Sequence, residues 1–368
     1  MDDKEKIFDE KFWKTISIFG LIILIIVFLP ILFTIQLKNP WFDFTNTGQI
    51  GDTIGGIISP FVAIAAALLT FIAFWVQYKA NIKQTEQFKT QAKDTTIERF
   101  ENKFYEAIRL HKENVNEIEI SKPSFKNYTK GRKAFISMFF EFRFCYALVK
   151  KFIEEYNQEE MGFPADDEKT IIDIAYHIFF MGIGNNSDTL IIKSFAGICE
   201  QNFIIDLITF LNTYKEKREK ANKTIELEVK LKSNPNPLIY KARYIPFGGH
   251  MSRLGHYFRH LYQTVKFISE QDDKIITKEM KQEYAKILRA QLSDYEQLLL
   301  FYNVNSTLGN AWLNGKTDFI KEYRMIKNMP VPLADFGIIP DEVFKKEIEY
   351  WKKKNKVFFE WDERKHIS

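Results

Sequence analysis

Two uncharged apolar runs near the start of the chain constrain its fold more than any other feature. Residues 16–35 read ISIFGLIILIIVFLPILFTI and residues 54–76 read IGGIISPFVAIAAALLTFIAFWV, with no Asp, Glu, Lys or Arg in either. An α-helix rises about 1.5 Å per residue, so about 20 apolar residues match the roughly 30 Å hydrocarbon core of a bilayer. The pair predicts a two-helix transmembrane hairpin over residues 1–78. A cleaved signal peptide does not fit, because the first run is long and a second span follows it closely.

Flanking charges orient the hairpin. Lys11 and Lys14 precede the first span, and Lys79, Lys83, Lys89 and Lys93 follow the second. The loop between them carries only Lys38, with Asp43 and Asp52 against it. The positive-inside bias then predicts a multi-pass protein of the bacterial cytoplasmic membrane with both termini in the cytoplasm. Gly51, Gly55 and Ser59 recur every four residues, a small-residue face that lets helices approach closely. Packing of one span on the other is the expected use of that face, and a homo-oligomeric seam is the alternative.

The rest of the chain reads as all-α. Residues 79–120 predict a helical stalk, with Phe100, Phe104, Ile108, Val115 and Ile118 as its apolar stripe. A helical subdomain over 121–214, a charged loop over 215–236 and a C-terminal helical subdomain over 237–368 follow. Periodicity places helices over 134–156, 167–181, 189–197, 199–214, 252–271, 277–303, 318–328 and 341–354. A net charge of +4 on 368 residues is no global footprint for nucleic acid, so no DNA partner is expected. The two cysteines, Cys145 and Cys199, are no disulfide framework.

Chemistry concentrates in one segment, FGGHMSRLGHYFRHLYQTVKFI at 247–268. Arg253, His256 and His260 share a helix face at three- and four-residue spacing and are the candidate catalytic groups. His250, Tyr257 and Arg259 surround them. In LRAQLSDYEQLLLFYN at 288–303, Arg289, Glu296 and Asn303 recur every seven residues with Ser293 nearby, which predicts a polar network shared with the first helix. Such a network fixes helix register when it is satisfied. No metal or cofactor is expected, because HExxH is absent and neither cysteine can assist. Arg253 and His260 stand six residues apart, within the R-x(4–6)-H spacing of HEPN-type ribonucleases. In that reading histidine moves a proton and arginine stabilises phosphate charge.

Four stretches together resemble the phage abortive infection proteins of bacteria, the AbiC-like group: GDTIGGIISP at 51–60, GRKAF at 131–135, GHYFRHLYQTVKFI at 255–268 and LRAQLSDYEQLLLFYN at 288–303. The resemblance implies antiviral defence in which infected cells stop growing or die before phage mature. It carries over no catalytic residues. Two classes of mechanism therefore stand: a cytoplasmic sensor whose hairpin impairs the membrane, and a membrane-tethered ribonuclease using Arg253 and His260. The partners expected are the lipid bilayer, further copies of the chain, and a phage component or RNA.

Overall fold

The computed structural model describes residues 10–36, 38, 39, 41, 50–120, 129–221, 224–234 and 236–361. The chain divides into two compact units, Met1–Thr95 and Thr96–Ser368. Helix α1, Glu10–Thr34, lies in the first unit, and helix α2, Ile50–Glu117, begins there and ends in the second.

Among the described residues one helix is long and apolar enough to cross a membrane, and it is α2. Only 6% of its apolar window is buried. Leu69, Phe71, Phe74 and Trp75 are all exposed, unlike the core helix of a soluble protein. Helix α1 contributes a shorter apolar stretch, Ser17–Ile26, so only one of the two expected spans corresponds to a helix long and apolar enough to cross a membrane among the described residues. The face expected to pack the spans together is open within this unit. A methyl group added at Gly51 or Gly55 would meet no described atom within 4 Å, and Ser59 is exposed. Four-residue spacing puts small residues on one stripe, but it does not by itself supply a partner.

The second unit is mostly helical. Phe100, Phe104, Ile108 and Val115 of α2 are buried, and the Phe100 ring lies 4.8 Å from Tyr284 and 5.2 Å from Phe267. Helix α3, Arg132–Glu155, is the central element, burying Phe135, Phe139, Phe142 and Phe144. Helix α4, Glu168–Met181, packs along it and starts at Asp167, whose side chain accepts the Thr170 N–H at 3.2 Å. Helices α5, Asn185–Ser194, and α6, Gln201–Glu219, complete this half.

Residues 215–236 are not the charged loop expected. Their first part is the last turn of α6, and strand β1, Ile225–Val229, pairs antiparallel with β2, Leu238–Ala242. The cause is a two-residue period hidden among charges. Leu227 and Val229 are buried while Glu226 and Glu228 point outward.

Helix α7, Met251–Ser269, follows. The single helix expected over 277–303 is instead two, α8, Lys278–Arg289, and α9, Asp294–Asn305. Glu296 explains the break. Its carboxyl accepts the Ser293 N–H at 2.7 Å and the Ser293 hydroxyl, so a new helix starts at 294. The helix expected over 318–328 ends at Tyr323, because Arg324 adopts φ +48°. The C-terminal segment forms two short helices, Pro340–Val343 and Lys345–Lys352.

Phe142 touches Tyr176, Phe179, Tyr302 and Phe336 from the middle of α3, with no exposure. Phe142→Ala is expected to destabilise the second unit by about 3–5 kcal/mol in a denaturant titration of the full chain. An unchanged midpoint would contradict this central place for α3.

Candidate functional site

The segment that positions α7 is built on one buried acid. Glu141, on α3, has no exposed surface. Its carboxyl accepts the Phe247 N–H at 2.8 Å and the Tyr244 hydroxyl, and it lies 2.8 Å from His250 Nε2. Phe247 holds φ +59°, which a residue bearing a Cβ rarely adopts, and the bond from its N–H to Glu141 helps hold it there. The two glycines that follow serve a close crossing of backbones. Ile183 N–H donates to Phe247 O at 2.9 Å and His250 N–H to Phe180 O at 2.8 Å. A side chain on Gly249 would collide with the Met181 carbonyl, and one on Gly182 with the backbone at Gly248 and Gly249.

Helix α7 leaves this crossing with Leu254, Tyr257, Phe258, Leu261, Val265 and Ile268 buried. A second buried acid grips its middle. The Tyr257 hydroxyl donates to Glu296 Oε1 at 3.1 Å, and Arg132 Nε lies 3.8 Å from Glu296 Oε2. Burial, and then the Glu296 carboxyl, push the Tyr257 phenol well above its usual range.

Arg253, His256 and His260 do share one face, but at the rim of the helix rather than in its interior. His256 is exposed, and Arg253 and His260 are half-buried. The rim placement removes the cost of burying three polar groups on an apolar helix. Arg253 Nε donates to Glu119 O at 2.7 Å and its Nη1 to Gly249 O at 3.3 Å, which fixes the guanidinium. Burial, and then His256, lower His260 below the ordinary imidazole value, which disfavours its protonated form.

The structure adds to this cluster His111, which lies outside the segment where the candidate groups concentrate. It comes from α2, is 1% exposed, stacks 6.1 Å from His260 and lies tilted 5.2 Å from Tyr257. Among the described residues neither of its ring nitrogens has a hydrogen-bond partner, nor does His260 Nδ1. Arg132 and Glu141 were also missed. A lone acid inside the aromatic run FFEFRF was the available signal for Glu141.

The expected heptad network does not form as one unit. Ser293 and Glu296 stay together and reach Tyr257 and Arg132. Arg289 turns to Asn328 Oδ1 at 2.9 Å and to the carbonyls of Tyr323 and Arg324, closing the short helix before them. The Asn303 carbonyl accepts the Ser306 hydroxyl at 2.8 Å in a tight turn. His250 belongs to the Glu141 cluster, and Arg259 is exposed. The helix break at 290–293 ends the seven-residue register that would have aligned them. Among the described residues, no three His, Cys, Asp or Glu side chains converge as for a metal ion.

Residues 249–333 match the family model described as Putative phage abortive infection protein. The match covers α7, α8, α9 and the segment after them, and so includes Arg253, Tyr257, His260 and Glu296 but not His111, Arg132 or Glu141. No curated protein and no solved structure matches the chain.

Burial, then His260 and Arg132, push His111 down from 6.5 to about 4. Above the ordinary value the ring is neutral in both folded and unfolded chains. As pH falls through this window the unfolded chain takes up a proton that the folded chain refuses, so stability is lost. The wild type is expected to lose up to about 3 kcal/mol more than His111→Phe between pH 7 and pH 4 in denaturant titrations. Parallel pH profiles would contradict a buried neutral ring.

Proposed function

With the match over residues 249–333 as premise, we propose that the chain is a membrane-anchored antiphage protein that arrests infected bacterial cells. That match is the observation that carries the defence role. The exposed apolar part of α2 supports the anchor, since so many exposed large apolar side chains suit lipid and not water. The lysine asymmetry supports a cytoplasmic-membrane location with both termini inside, and α1 is read as a second span.

In this reading the second unit senses infection and the spans impair the membrane. Helix α2 supports the coupling, because the same helix supplies the apolar stretch and the core residues Phe100, Phe104 and Ile108. The open Gly51, Gly55 and Ser59 face supports association of spans from several copies. A second reading is favoured by the rim of α7. An arginine held by two carbonyls, an exposed imidazole and a half-buried one can together bind phosphate and move a proton, as ribonuclease chemistry requires.

Phage challenge of cells expressing the wild type, Arg253→Ala, His260→Ala or a chain lacking residues 1–78 separates the two. Membrane potential and bulk RNA are followed together. The first reading expects collapsed potential with intact RNA, and loss of protection without residues 1–78. RNA cleavage that persists without residues 1–78 and disappears in His260→Ala would replace it with the second. Protection by none of these chains would contradict the defence role.

A further inference from the structure

The second unit has a groove between α3 and β2 whose lining includes none of the α7 rim residues. Ile136, Ser137, Phe140 and Arg143 form one wall, and residues 238–241, 243 and 244 form the other, around about 300 Å³. That volume reaches the lower end of peptide- and ligand-sized pockets.

The second wall is formed by consecutive strand residues. No residue of β1 lines the groove, so it follows the edge of β2 that faces away from its partner. In a two-stranded antiparallel ribbon, alternate residues aim N–H and C=O groups out of that edge. Among the described residues, 238–241 make no backbone hydrogen bond outside the ribbon. An unpaired strand edge is a template for a further strand, and a helix wall beside it supplies side-chain pockets.

The chemistry of the walls selects the occupant. Ile136, Phe140 and Ile239 are exposed here, Ile239 by 55%. Every charged residue lining the groove is cationic: Arg143, Lys241 and Arg243. Arg143 and Lys241 hold Asp335 and Glu226 in surface pairs that contribute little and can exchange partners. The Arg243 side chain is exposed and has no acidic partner among the described residues. The floor is rigid, because the Tyr244 hydroxyl is fixed to Glu141 and to Ser137 O, and Tyr240 stacks on Phe144 at 4.6 Å.

We propose that this groove binds an extended acidic segment of another protein, which adds to β2 as a third strand, places apolar side chains against Ile136 and Phe140 on the α3 side, and sets its acids on the opposite face, against Lys241 and Arg243 beside Ile239. The site is independent of the α7 rim and of either mechanism above. It gives the second unit a place to recognise a protein partner through backbone pairing and charge.

The test uses the full chain in detergent micelles and a fluorescein-labelled peptide alternating glutamate with valine and phenylalanine, read by anisotropy. Saturable binding is expected, weakened about tenfold or more in Arg243→Glu and in Ile239→Glu. Both side chains are exposed, and an unchanged thermal midpoint confirms the fold of each variant. The same peptide N-methylated at alternate amides is expected not to bind, nor is its lysine counterpart. Equal binding of the methylated or lysine peptide would overturn the proposal, as would variants that bind like the wild type. Absence of peptide binding would overturn it too, whether accompanied by Arg243-dependent self-association in sedimentation or by Arg243-dependent binding to anionic vesicles.

Discussion

Helix α7 is held by two buried acids, and the arrangement around it depends on them. Glu141 fixes the loop that delivers the helix, through Tyr244, Phe247 and His250. Glu296 starts α9 and takes the Tyr257 hydroxyl from the middle of α7. Each acid has several hydrogen-bonding partners, the condition under which burying such a group is tolerated. With its start and middle fixed, the helix has no freedom to rotate, and Arg253, His256 and His260 stay at the rim while Tyr257 stays inside.

This grip limits what the site can be. His256 is exposed, and His260 is half-buried beside the enclosed His111. The ring nitrogens of His111 carry a desolvation cost that the fold bears without compensation from a hydrogen bond among the described residues. The groove along β2 has a different character: apolar, cationic and bounded by an open strand edge. Glu141 connects the two in structure, since Tyr244 lines the groove and His250 precedes α7.

Much of the helical order was legible in the sequence because it rests on local rules. The periodicity over 134–156 and 167–181 predicted α3 and α4 to within a few residues. The misses have equally local causes. Ser293 to Glu296 spells a Ser-x-x-Glu helix start, but the heptad spacing of leucines and tyrosines ran through it and concealed the break. Ile225, Leu227 and Val229 alternate among glutamates, and the surrounding charge made them read as a solvated loop. The role of Glu141 was beyond a one-dimensional reading, because its partners lie more than a hundred positions away. The same holds for His111, which reaches His260 only through tertiary packing. The need for Gly248 and Gly249 likewise comes from the crossing with Gly182.

The dependence of α7 on Glu141 is tested most directly by hydrogen–deuterium exchange on the full chain, comparing the wild type with Glu141→Gln. The account predicts faster exchange from Tyr244 through the first turns of α7, with α4 and α9 protected as before, because only the grip on the loop is weakened. Exchange unchanged at Phe247 and His250 would contradict it, and so would uniform acceleration across the whole second unit.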